Sequence, residues 1–127
     1  LGGGPVQDDA PVRGPMDHGI TVAISSDILP IGPLVGIYAA VTRKGMTGTV
    51  YGLDEAITME EAIRAYTALG AYLNFEEEIK GTLEAGKLAD MVLLSEDLLT
   101  IDPERIMGVA VEKTWIGGEL VHEATSL

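Results

Sequence analysis

Ile20-Thr21-Val22-Ala23-Ile24-Ser25-Ser26-Asp27-Ile28-Leu29-Pro30 sets the fold class. Its first five residues are mostly aliphatic and rich in β-branched side chains, with continuous rather than alternating apolarity. That pattern predicts a strand over 20–24 covered on both faces, as in a parallel α/β sheet. Two serines and an aspartate follow, and Pro30 stops the ladder. A carboxylate at the C-terminal end of such a strand lies where α/β folds place their chemistry. The plainer reading is that Asp27 caps the turn or helix after the strand.

The segments around this strand extend the pattern. Residues 1–10 are rich in Gly, Pro and Asp and read as loop. Pro11 to Asp17 predicts a short helix that ends at His18-Gly19, where the imidazole caps carbonyls rather than binding metal. Pro33 suits the first turn of a helix over about 33–42, with Leu34, Ile37, Tyr38 and Val41 on one stripe. A Gly-punctuated loop from 44 to 57 is long enough to be functional or to wrap a neighbour. Thr58-Met59-Glu60-Glu61 is a capping box opening a helix over about 59–73, with Ala62, Ile63, Tyr66, Leu69 and Leu73 buried. Glu76, Glu77 and Glu78 point in different directions and read as a solvated face, not a metal cluster.

From Lys80 onward the pattern is β. Met91-Val92-Leu93-Leu94 reads as a short buried strand, and Asp102-Pro103 opens a single helical turn. Val109 to Ile116 alternates as a strand, Gly117-Gly118 is a primed turn, and 119–123 returns as the partner.

Composition narrows the function classes. A chain of 127 residues can build one domain with a core. The absence of cysteine removes disulfides, thiolate metal sites and cysteine nucleophiles. A net charge of −12, from 20 acidic against 8 basic residues, excludes nucleic-acid and anionic-membrane partners, since no basic patch can form. No apolar run approaches bilayer length, and a cytoplasmic location is expected. A chain that opens on Leu1-Gly2-Gly3-Gly4-Pro5 reads as a piece of something longer.

Two blocks carry a family resemblance. Val22-Ala23-Ile24-Ser25-Ser26-Asp27 resembles the last barrel strand of the amidohydrolase superfamily. Lys80 to Leu94, KGTLEAGKLADMVLL, is similar to that superfamily's C-terminal KGxLxxGxxADxVVL segment. Gly36 to Arg43 and Glu61 to Thr67 narrow the resemblance to the amidohydrolase-3 branch, which includes metal-dependent hydrolases like N-substituted formamide deformylase. The likeness runs from about Pro11 to Val121.

The resemblance implies an α/β fold: the C-terminal fragment of a (β/α)8 TIM barrel plus part of a small composite β-sandwich. Residues 1–78 would hold the last barrel strand and closing helices, and 79–127 the β-rich part of the sandwich. Asp90, Gly81 and Gly86 would then shape a hairpin rather than a site. The implied activity is hydrolysis of a non-peptide carbon–nitrogen bond in a small amide-type substrate by water activated on a divalent metal, with zinc the expected ion. Asp27 would be metal ligand and general base, then acid. Ser25, Ser26, Ile28, Leu29 and Pro30 would orient it and form the wall beside the substrate.

The family's His-x-His pair, bridging carboxylate or carbamylated lysine and further histidines have no counterpart here. The only histidines are His18 and His122. One carboxylate does not hold a catalytic metal, which needs about three protein ligands. The isolated chain is therefore expected to bind no metal and to be inactive. Association with the missing barrel portion, or with a second copy, is the expected partnership. Two other classes compete: a non-catalytic acidic scaffold that binds a partner, and a complementing piece of a split hydrolase.

Overall fold

A computed structural model describes residues 11–26, 32–45 and 47–125. Four helices, α1 (Arg13–Asp17), α2 (Pro33–Thr42), α3 (Met59–Tyr66) and α4 (Ala68–Leu73), precede three strands, β1 (Met91–Leu94), β2 (Val111–Ile116) and β3 (Glu119–Glu123). 3-10 segments occupy Leu53–Glu55, a single turn, and Pro103–Gly108, two turns.

Two of the helices and the second 3-10 segment begin for a legible reason. Pro33 stands in the first turn of α2, where its missing N–H costs nothing. In α3 the Glu61 N–H donates to Thr58 Oγ1 (3.2 Å), and the Thr58 N–H donates to Glu61 Oε2 (2.7 Å). This reciprocal cap contributes about 1 kcal/mol. Asp102 accepts from the Glu104 N–H at 3.0 Å and opens the second 3-10 segment.

The core forms where α2, α3 and that segment meet. Ile37 and Ala40 pack with Ile57, Ala62, Ile106 and Val109. It takes residues from both sides of position 78, so the two parts of the chain share it. Gly36 permits the approach of α2 to α3: a Cβ there would fall 1.7 Å from Tyr66 Oη.

The helix expected over 59–73 is broken at Thr67, whose φ of −126° and ψ of −90° are not helical. Thr67 Oγ1 donates to the Ile63 carbonyl at 2.8 Å, a local bond of the kind that bends helices. The break turns the stripe, leaving Ala62 and Ala65 buried but Leu73 exposed. At its end α4 closes with Glu76 N–H donating to Ala71 O (2.9 Å) and Phe75 N–H to Tyr72 O (3.0 Å). This is a Schellman motif whose left-handed position holds Phe75, at φ 60°, instead of glycine. A side chain there costs about 1 kcal/mol.

The sheet is antiparallel in the order β1-β2-β3. Gly117 and Gly118 both have positive φ (57° and 85°), as a type I′ hairpin turn requires. Asp90 Oδ1 accepts from the Gly117 N–H at 2.7 Å, fastening β1 to this turn. The buried strand expected at 91–94 is exposed instead: Met91, Val92 and Leu93 reach solvent, Val92 at 56%. Of the four, Leu94 is partly buried and packs against the core.

The strand expected over 20–24 is not in a sheet. Residues 20–26 have no ladder, and Ile20 is 60% exposed. Two backbone bonds tie the segment to the helices, from the Ile20 N–H to the Pro15 carbonyl (3.0 Å) and from the Ile24 N–H to the Ala65 carbonyl (3.2 Å). A parallel strand is held by neighbours on its two edges, and none of the described residues supplies one.

Candidate functional site

The chain leading to the predicted site is held by two carboxylates. Glu55 Oε2 accepts from the Val12 N–H (2.7 Å) and the Gly14 N–H (3.0 Å), amides at the start of α1 that have no helical acceptor. These backbone donors, that of Gly14 foremost, hold the Glu55 carboxyl below the usual glutamate range. Glu61, already in the cap of α3, also receives a two-pronged bond from Arg13, with Nη1 to Oε1 at 2.9 Å and Nη2 to Oε2 at 2.6 Å. The Arg13 hydrogen bond, followed by the Thr58 N–H, lowers the Glu61 pKa to about 2. Arg13 Nε also donates to the Ala56 carbonyl at 3.2 Å. Together these bonds fix α1 against residues 53–61. The Ile20 N–H then donates to the Pro15 carbonyl (3.0 Å), and the chain runs on through 20–26.

Of the predicted site residues, Ser25 and Ser26 are described and exposed. Asp27, Ile28, Leu29 and Pro30 lie outside the described residues. His18 Nδ1 donates to the Gly14 carbonyl at 2.8 Å, the helix-capping role expected of it. His122 stands on β3, opposite Thr114. Glu76 pairs with Lys80 at 2.8 Å.

These donors do not make a metal centre. Among the described residues no group of three His, Cys, Asp or Glu could hold an ion. The whole sequence has two histidines and no cysteine, and His18 is engaged by backbone.

Two open clefts flank the ridge formed by Ile63, Tyr66, Thr67 and Val92. One, of about 710 Å³, lies between α4, residues 80–83 and β1. The other, of about 800 Å³, is walled by Leu34, Ile37, Leu94 and Val111. Partial burial in this ridge raises the Tyr66 phenol pKa. Both are mainly apolar spaces, suited to packing against further apolar groups rather than to acid–base chemistry.

The roles of Glu55 and Arg13 were invisible to pattern reading. The capping box exposed Glu61, but its partner Arg13 lies 48 residues away and Glu55 reaches back 41 to Gly14. No local spacing signals either.

Comparisons with known proteins place the chain. It matches the model of the amidohydrolase family over residues 2–122. It is 37% identical over 113 residues to the YtcJ amidohydrolase of Bacillus subtilis, covering 85% of this chain and 21% of that protein. Against the N-substituted formamide deformylase of Arthrobacter pascens it is 34% identical over 118 residues, covering 91% of this chain and 22% of the relative. The chain thus spans about a fifth of the length of these curated relatives. An amidohydrolase from Thermotoga maritima shares the fold, with a TM-score of 0.65 at 21% identity, over 86% of this chain and 24% of the other. On the family match and these identities, the chain belongs to the amidohydrolase family, in its amidohydrolase-3 branch.

Proposed function

We propose that this chain is the C-terminal part of a metal-dependent amidohydrolase that hydrolyses a non-peptide carbon–nitrogen bond in a small amide-type substrate. The observation that carries the reading is the family match over residues 2–122, with the Ser25-Ser26-Asp27 ending inside it. The name of the Arthrobacter relative, an N-substituted formamide deformylase, supports an amide-type substrate. Residues 1–78 are assigned to the end of the barrel and 79–127 to the small sandwich domain.

Asp27 is the one residue assigned a chemical role. Its carboxylate accepts the proton of the attacking water and returns it to the leaving amine. It is also assigned as one metal donor, the others coming from chain beyond this sequence. Ser26, Ile28, Leu29 and Pro30 form the adjoining wall of the pocket. Glu55 and Glu61 hold the preceding segment in place and take no part in the chemistry.

The test has two arms. The purified 127-residue chain, incubated with zinc, dialysed and examined by native mass spectrometry and metal analysis, is expected to retain no stoichiometric metal and to release no formate from an N-substituted formamide. Turnover by this chain alone overturns the reading. In a reading frame of family length, Asp27→Asn is expected to lower kcat at least a thousandfold (on the order of 10³) while the protein stays folded. An active Asp27→Asn enzyme overturns the role of Asp27.

A further inference from the structure

Residues 20–26 carry the chain to Asp27 without the support a strand normally has. They form no ladder among the described residues. A cleft of about 300 Å³ is walled by residues 19–22 together with Glu61 and Arg64, so the first half of the segment stands off α3 instead of packing on it. Ile24 packs against the core. Beyond that contact, the Ile20 and Ile24 N–H groups fasten the segment, to the Pro15 and Ala65 carbonyls at 3.0 and 3.2 Å.

The two acceptors belong to different elements, Pro15 to α1 and Ala65 to α3. The chain from Ile20 to Ile24 reaches at most about 14 Å, so a segment fastened at both residues follows any shift between the two helices. Arg13 opposes such a shift. Its guanidinium donates from Nη1 to Glu61 Oε1 (2.9 Å), from Nη2 to Glu61 Oε2 (2.6 Å) and from Nε to the Ala56 carbonyl (3.2 Å), which engages all three nitrogens. A two-pronged bond fixes orientation as well as distance. Asp17, 3.6 Å from Nη1, is a second carboxylate facing it, on its own helix.

The pair and the tether join the same elements near the same places. Arg13 lies just before Pro15 in α1, and Glu61 lies one turn before Ala65 on the same face of α3. Glu55 is different: it ties the Val12 and Gly14 amides to the 53–55 turn and not to α3. The Arg13–Glu61 bond is thus the side-chain link that sets the spacing between the two anchors.

We infer that Arg13 is a positioning residue for the hydrolysis: its two-pronged bond to Glu61 holds α1 and α3 at the spacing that delivers Ser25-Ser26, and Asp27 next in the chain, to the reacting water. The inference rests on the reading of Asp27 as general base. Arg13 has no contact of its own with the reacting atoms and acts only through the segment it holds. A reacting group displaced by about 1 Å loses on the order of a hundredfold in rate, while substrate affinity, set by the rest of the pocket, changes little.

Arg13→Met keeps the aliphatic stem and removes the fork. In the family-length protein it is expected to lower kcat roughly 10- to 100-fold with KM within about twofold of wild type. Arg13→Lys, which keeps the charge without the fork, is expected to lie between. Adding Glu61→Gln to Arg13→Met should cost little more, because the two residues act as one pair. Ile106→Val, which loosens the core without touching the pair, should leave kcat unchanged. In the 127-residue chain, Arg13→Met is expected to speed amide hydrogen exchange at Ile20 and Ile24, read by NMR, at least about tenfold relative to Val109. A wild-type kcat in Arg13→Met overturns the proposal. So does exchange at Ile20 and Ile24 that moves no more than at Val109, or an Ile106→Val enzyme that is equally slow at equal Tm. If the reading of Asp27 alone is wrong, Asp27→Asn stays active while exchange at Ile20 and Ile24 still quickens. If the positioning role alone is wrong, Asp27→Asn is inactive beside a fully active Arg13→Met.

Discussion

Replacing Glu61 by glutamine should destabilise the chain at neutral pH and matter little in acid. The variant Glu61→Gln keeps a side-chain acceptor for the Thr58 N–H, since glutamine also serves in a capping box. What it removes is the charge facing Arg13. The folded-state carboxyl titrates at about 2 against an ordinary value of 4.5. At about 1.4 kcal/mol for each pH unit between the folded and unfolded titrations, the ceiling is about 3 kcal/mol. Solvent reaches 35% of the Glu61 side chain and 25% of that of Arg13, and screening leaves about 1–2 kcal/mol. The sign follows from a folded pKa below the unfolded one. The contribution is complete above about pH 5.5 and falls as pH drops through 4.5 towards 2, with more than half gone by about pH 3. Urea denaturation of both proteins between pH 7 and pH 3 measures this difference directly. A gap between them that stays constant with pH would refute the assignment to the Arg13 ion pair.

Three further expectations test the frame around the site. Glu55→Ala should speed amide hydrogen exchange at Val12 and Gly14, read by NMR, because both N–H groups lose the acceptor they share. Ile106→Ala, at a fully buried position, should cost about 2–5 kcal/mol in urea titration through the cavity it leaves. Gly36→Ala should cost about 1–3 kcal/mol, since its methyl would overlap the Tyr66 phenol. Adding Tyr66→Leu should recover part of that loss in a double-mutant cycle.

Features written in a few adjacent residues could be read from sequence. Pro33 with its stripe at spacings of three and four, the Thr58 to Glu61 box and the Gly117-Gly118 turn each specify their conformation locally, and each is found. The break at Thr67 was not readable: its hydroxyl chooses the Ile63 carbonyl, and the surrounding pattern still looks helical. The clamp on α1 joins residues more than 40 apart, so no period or spacing announces it. Asp27 entered through a family likeness rather than through chemistry in its neighbours, which supply no second catalytic group. Phe75 could have been noticed, because an aromatic residue after Leu73-Asn74 occupies a place where a helix stop prefers glycine, but only the backbone angle shows the conflict.

The two apolar runs, 20–24 and 91–94, part company in the structure: 91–94 is a strand and 20–24 is not, yet neither is as buried as its apolarity suggests. Continuous apolarity records what a segment is suited to bury; it cannot say which residues do the burying. The first is expected as a strand covered on both faces and the second as a short buried strand, yet Ile20 and Val92 are more than half exposed. Exposed apolar strands with unpaired edges are normally selected against in a chain that stands alone. The 710 Å³ cleft opens against Met91 and Val92, so the uncovered strand and the unfilled space adjoin. For 91–94 the pattern and the structure therefore disagree only about the covering layer; for 20–24 they disagree about the strand as well.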